Sequence, residues 1–126
     1  MTFIDDCTRY TWVYPIYAKS NPDRVLASFI QERWTQDHVV VQRFRTDNGG
    51  EYVNMTMVTL LNHYGIINYQ TSPYSHEFDG SAERYNRTII TATRSMLIVL
   101  LLTLWAEAIT TAVSLRNRLS NRSIGK

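Results

Sequence analysis

Two carboxylates in this sequence sit where metal-assisted chemistry would need them, each beside a feature that fixes its position. Asp47 follows a valine-led stretch at residues 39–44 and precedes Asn48, Gly49 and Gly50, a run that forces a turn. It therefore reads as the residue that closes a strand. Glu83 comes two residues after Ser81, a fair N-cap, and reads as the acid that opens a helix. With 35 residues between them, the two belong to different elements. Carboxylates on different elements can converge on Mg²⁺, which prefers oxygen ligands and keeps positions for water and substrate phosphate. In two-metal chemistry one ion activates an attacking hydroxyl or water, and the other stabilises the departing oxygen. Most Asp and Glu pairs at any spacing are solvated surface acids, so the pair alone identifies nothing.

The helix opened by Glu83 carries a second clue. Steps of 4 and 11 residues, at about 100° each, put Arg87 and Arg94 within about 40° of Glu83 on one face. Arginines beside an acid can hold DNA phosphates, with binding that weakens as salt rises, and Asn86 can add a further contact. The same spacing equally allows a plain i to i+4 pair between Glu83 and Arg87 on a solvated helix.

These residues need a scaffold, and its elements can be read along the chain. Residues 2–4 and 10–17 are rich in β-branched and aromatic side chains, and the polar residues 5–9 between them read as the turn of an antiparallel hairpin. Asn21 is placed to cap a helix with Pro22 and Asp23 in its first turn, on which Val25, Leu26, Phe29, Ile30 and Trp34 form the apolar face. A strand is expected over 39–44. Val53, Met57, Leu60, Leu61 and Tyr64 mark a second helix, stopped by Gly65. A strand over 66–69 follows, then a surface loop over 71–80, then a helix over 82–97 capped by Ser81. A last helix over 104–119 places Trp105, Ala108, Ile109, Ala112 and Val113 on one stripe.

A chain of 126 residues with 44% hydrophobic and 19% charged residues can build one core and does not have the composition of a disordered segment. The net charge is only +2, but it is unevenly placed. From Arg84 onward seven basic residues face one acidic residue, a net of +6; before it six basic face ten acidic residues, a net of −4. A basic C-terminal third suits a polyanionic partner, although arginines also solvate ordinary helix faces. Cys7 is the single cysteine, so neither a disulfide framework nor a cysteine-based zinc site can form within the chain, and a reducing compartment is expected. His38, His63 and His76 lack the short spacing of a metal pair. The apolar run at residues 96–102 is too short to span a bilayer, and no secretion leader opens the chain. Tyr10, Trp12 and Tyr14 alternate as packing residues do, rather than as a base-stacking platform.

Six segments occur in a fixed order: F-I-D-D-C-T-R-Y-T-W-V-Y-P at 3–15, R-T-D-N-G-G-E-Y at 45–52, S-P-Y at 72–74, G-S-A-E-R-Y-N-R-T at 80–88, R-S-M-L at 94–97 and L-W-A-E-A at 104–108. Together they resemble the integrase catalytic core of copia-type long-terminal-repeat retrotransposons, within the retroviral integrase superfamily. The resemblance covers nearly the whole chain. It implies an α/β, ribonuclease H-like three-layer fold with a mixed sheet, formed by residues 1–126 as a partial catalytic core domain. It also implies phosphodiester chemistry on DNA ends with Mg²⁺ or Mn²⁺ and no small-molecule cofactor. Asp47 and Glu83 match two of the family's three catalytic, metal-holding acids. DNA is then the partner of Asn86, Arg87 and Arg94, the chain is expected to form homo-oligomers without a membrane, and its place is intracellular, nuclear if it acts as an integrase.

The family's third acid lies in a D-x-x-G-P segment on a central strand before the F-I-D-D motif, and residues 1–126 do not contain that segment. The chain is thus expected to be an N-terminally truncated fragment with an incomplete sheet, inactive alone. Asp5 and Asp6 fall in the hairpin turn and read as solvated turn residues rather than substitutes. The family pattern is also broken at His76, in place of a proline, and at Phe78, in place of an amide. At residues 98–104 a G-L-P turn is replaced by apolar residues, so the flanking helices are expected to fuse or shift. Two rival readings are a non-catalytic remnant that binds nucleic acid through its basic C-terminal helices, and a nuclease acting on RNA–DNA hybrids. The copia-like motifs argue against the nuclease.

Overall fold

Residues 1–16, 22–46, 54–70, 76–98 and 102–119 are described by the computed structural model. The expected hairpin is formed by β1 (Thr2–Ile4) and β2 (Thr11–Val13), which pair antiparallel with Phe3 opposite Trp12. Its turn is held by Asp5, whose carboxylate accepts from the Thr8 backbone N–H at 2.8 Å and from the Thr8 hydroxyl at 2.5 Å. Tyr10 and Trp12 pack ring on ring at 4.8 Å, and Phe3 meets Tyr14 edge to face at 5.7 Å, the packing role expected of these aromatics.

Helix α1 (Pro22–Glu32) begins on proline, as the sequence predicts, and buries Leu26, Phe29 and Ile30; the expected cap Asn21 lies outside the described residues. The chain then departs from expectation. Residues Arg33–Asp37 form a π turn, and its wider i to i+5 bonding shifts the helical phase. Trp34, expected on the apolar face, is consequently 59% exposed, whereas Arg33 is buried. The Arg33 guanidinium is bonded to Asp37, lies 3.7 Å from Glu32 and sits over the Phe29 ring at 5.6 Å. Its charge is carried inward only because two carboxylates and a ring face meet it.

The third strand also starts later than expected. After His38, in left-handed conformation at φ 56°, Val39 and Val40 stay exposed, and β3 is Arg43–Thr46. Its ladder with β4 begins at Gln42, whose carbonyl accepts from Ile67 N–H at 3.0 Å. Helix α2 (Met55–His63) is capped by Asn54, whose side chain accepts from Met57 N–H at 2.8 Å, and is stopped by Gly65 at φ 66°. β4 (Ile67–Gln70) runs parallel to β3, with Arg43 beside Ile67 and Arg45 beside Tyr69.

The surface loop expected up to residue 80 is shorter than predicted, because α3 spans His76–Leu97 and Ser81 lies inside it rather than at its cap. The helices do not fuse: α3 ends at Leu97, a 3₁₀ turn occupies Leu102–Leu104, and α4 is Trp105–Arg118.

Among the described residues the strands make two two-stranded sheets, β1–β2 antiparallel and β3–β4 parallel. The chain divides into two compact units, Met1–Tyr17 with Gly80–Lys126, and Ala18–Asp79. In the first, Ile89 of α3 meets Ala112 and Val113 of α4, with Val13, Tyr85, Ala92, Met96 and Ile109 packed around them. In the second, α1 packs on α2 and α2 on β4, with Leu26, Met57 and Leu61 almost wholly buried. Among the described residues no helix is long and apolar enough to cross a membrane.

Candidate functional site

Of the two acids singled out by the sequence, Glu83 is described and Asp47 is not. Asp47 follows Thr46, the last residue of β3, and itself lies outside the described residues. Glu83 is exposed on α3, but two turns in from His76 rather than at the head of the helix.

The surroundings of Glu83 are set by the two faces of α3. Tyr85, Ile89, Ala92 and Met96 point into the packing with α4, which fixes the roll of the helix. The opposite face then presents Glu83, Asn86, Arg87 and Arg94, all exposed. Among the described residues no ion pair joins Glu83 to Arg87, so the simple i to i+4 pairing is not realised. The Thr88, Thr91 and Ser95 hydroxyls donate to carbonyls four residues back, at 2.9, 2.9 and 3.0 Å. Their donors are thus satisfied within the helix. The face combines one carboxylate with cationic donors, the types that hold a cation and bind phosphate.

Asp5 and Asp6 behave as turn residues. Asp5 closes the hairpin through Thr8, and Asp6 makes an exposed ion pair with Arg9 at 3.4 Å. Among the described residues no three His, Cys, Asp or Glu side chains cluster as a metal centre. Arg43 and Arg45 are both exposed on β3. Their signal is an alternation, basic at 43 and 45 around the apolar Phe44, which is what a half-covered strand produces.

A family model described as the integrase core domain matches residues 1–76. A retrovirus-related Pol polyprotein from transposon TNT 1-94 of Nicotiana tabacum is 39% identical over 122 residues, which is 94% of this chain and 9% of that protein. The Pol polyprotein from transposon RE1 of Arabidopsis thaliana is 32% identical over 93% of this chain and 8% of its own length. The chain therefore spans less than a tenth of the curated relatives it matches. Among solved structures, the HTLV-2 integrase catalytic core domain in complex with magnesium, in a trimeric form, superposes with a TM-score of 0.72 at 18% identity, covering 97% of this chain and 76% of that one. The catalytic core domain of BIV integrase gives 0.64 at 20% identity, covering 90% and 70%. The arrangement of helices and small sheets is thus the ribonuclease H-like α/β fold of those cores.

Proposed function

Since the chain belongs to the integrase core domain family, we propose that it is part of a metal-dependent polynucleotidyl transferase that joins the 3′ ends of element DNA to target DNA. What carries this reading is the exposed face of α3, where Glu83 shares one stripe with Arg87 and Arg94 over a buried core. Asp47 and Glu83 are the residues proposed to hold the divalent ion. Carboxylate oxygens are donors suited to Mg²⁺ or Mn²⁺. When bound, such an ion supplies charge that activates the attacking oxygen and stabilises the leaving one. Arg87 and Arg94 bind the DNA phosphates, and Asn86 adds a hydrogen-bonding contact that helps set the register of the strand. Residues 1–126 carry two of the three acids this chemistry calls for, so alone they are expected to be inactive. Assembly with further copies is part of the same proposal, in keeping with the trimeric form of the HTLV-2 core.

The test separates ion binding from turnover. Calorimetric titration of the chain with Mn²⁺ is expected to weaken at least about tenfold in both Asp47→Asn and Glu83→Gln, since even indirect perturbation of a metal ligand costs that much. Unchanged Mn²⁺ affinity in both variants would sink the assignment. DNA binding that persists while Mn²⁺ affinity is the same in both variants would favour the non-catalytic remnant. The Arg87→Ala, Arg94→Ala double variant should lower the slope of log affinity for duplex DNA against log salt by about 1.8.

A further inference from the structure

The pairing of the hairpin fixes which way each backbone group of β2 points. Met1 and Tyr14 exchange hydrogen bonds at 2.7 and 2.8 Å, and the Asp5 N–H donates to the Tyr10 carbonyl at 2.9 Å. With Phe3 opposite Trp12, the bonded pairs fall on Tyr10, Trp12 and Tyr14. Thr11 and Val13, between them, turn their N–H and carbonyl groups away from β1 and toward the outer edge of the strand. At Thr11 that edge is closed. The Asn117 side-chain amide accepts from the Thr11 N–H at 3.0 Å and donates to the Thr11 carbonyl at 2.7 Å. A neighbouring antiparallel strand would make the same pair of bonds, yet here a side chain in the last turn of α4 supplies them. The edge is also short, because Pro15 has no N–H to continue a ladder and Arg9, at φ 60°, is not extended. It is confined to Thr11 and Val13.

We propose that the outer edge of β2 is a strand-pairing site for a second copy of this chain, and that Asn117 is the strap that keeps it shut. Set antiparallel about a two-fold axis at Trp12, the edges of two copies place Thr11 of each opposite Val13 of the other, and each such pair exchanges both its hydrogen bonds. The side chains match as the backbones do. Tyr10 falls beside Tyr14 and Trp12 beside Trp12 on one face, and Thr11 beside Val13 on the other, the aromatic and β-branched pairs that stabilise antiparallel strands. Residues 10–17 carry no charge, so the device that commonly guards an open edge is absent from this stretch of sequence. Asn117 is one residue from the end of α4, where helices open most readily, whereas Trp12 is held in the ladder with β1. The strap can therefore lift without loss of the hairpin. The site lies within the unit formed by Met1–Tyr17 with Gly80–Lys126 and uses none of Asp47, Glu83, Arg87 and Arg94, so it goes beyond the ion-binding proposal and can fail separately from it.

Sedimentation velocity on the 126-residue chain tests this. Asn117→Ala is expected to raise the weight-average mass about twofold over the unsubstituted chain at equal concentration. Adding Val13→Pro removes an N–H from the outer edge while leaving the ladder with β1 intact, and should return the mass to that of the unsubstituted chain. Unchanged mass in a folded Asn117→Ala, or a raised mass that Val13→Pro does not reverse, would overturn the proposal. Hydrogen exchange on the unsubstituted chain gives a readout that needs no variant to fold, and it decides the matter if Asn117→Ala does not. The Thr11 amide should exchange faster than that of Trp12 and in step with the last turn of α4. Equal protection at Thr11 and Trp12 would show an edge that opens only when the hairpin itself does, which also overturns the proposal.

Discussion

In the unit Ala18–Asp79 the innermost side chains are large and apolar: Leu26 and Met57 are 0% exposed and Leu61 is 1% exposed. In the other unit α4 buries only Ala108, Ala112 and Val113, and part of the work of joining elements falls to a polar clamp. Asn117 accepts from Thr11 N–H at 3.0 Å and donates to the Thr11 carbonyl at 2.7 Å, which ties α4 to the hairpin across the sequence. Thr11 is itself 1% exposed, so those backbone groups have no ready exchange with water. The unit Ala18–Asp79 centres on large apolar side chains, whereas the other adds directed hydrogen bonds to Phe3, Ile89 and the small residues of α4. They should therefore answer to different substitutions.

The largest expected effect is in the apolar unit. Leu26→Ala should destabilise it by about 2–5 kcal/mol, the cost of lost burial plus the cavity left behind. Hydrogen exchange would show the loss of protection across α1, α2 and β4. Equal loss in α3 and α4 would break the comparison by showing that the units unfold as one. Next, Asn117→Ala should cost about 1–3 kcal/mol by leaving the Thr11 backbone groups unpaired, read as lost protection at Thr11 and earlier denaturant unfolding of the hairpin unit. No change there would mean that packing, not the clamp, joins α4 to β2. The smallest effect is Asn54→Ala, which removes the α2 cap and should cost about 1 kcal/mol, visible as fraying of Met55–His63 while α4 is unchanged.

Legibility from the sequence followed the range over which each signal acts. The hairpin, the proline start of α1 and the Gly65 stop of α2 rest on neighbouring residues, and each stands where its local chemistry puts it. The order of strands and helices followed from the same signals. Gly80 and Ser81 look like a boundary in the sequence, whereas α3 runs through them from His76. The π turn at Arg33–Asp37 left no periodic mark, since its effect is a phase shift that exchanges Trp34 for Arg33. The stripe of Glu83, Arg87 and Arg94 was readable because helical spacing defines it. The closure of the β2 edge by Asn117 was not, because it requires knowing which helix lies along that edge and in what register the hairpin pairs.

The left-handed turn at His38 has a practical outcome for handling the protein. It delivers Val39 and Val40 to solvent at 53% and 58% exposure, at the start of a run of three valines before β3. A short, uncharged, β-branched stretch of this kind seeds cross-β stacking between molecules. Arg43 is the nearest following charge and acts as a gatekeeper for it. Concentrated stocks should therefore cloud sooner when that arginine is replaced by alanine, and clear when Val40 is replaced by lysine.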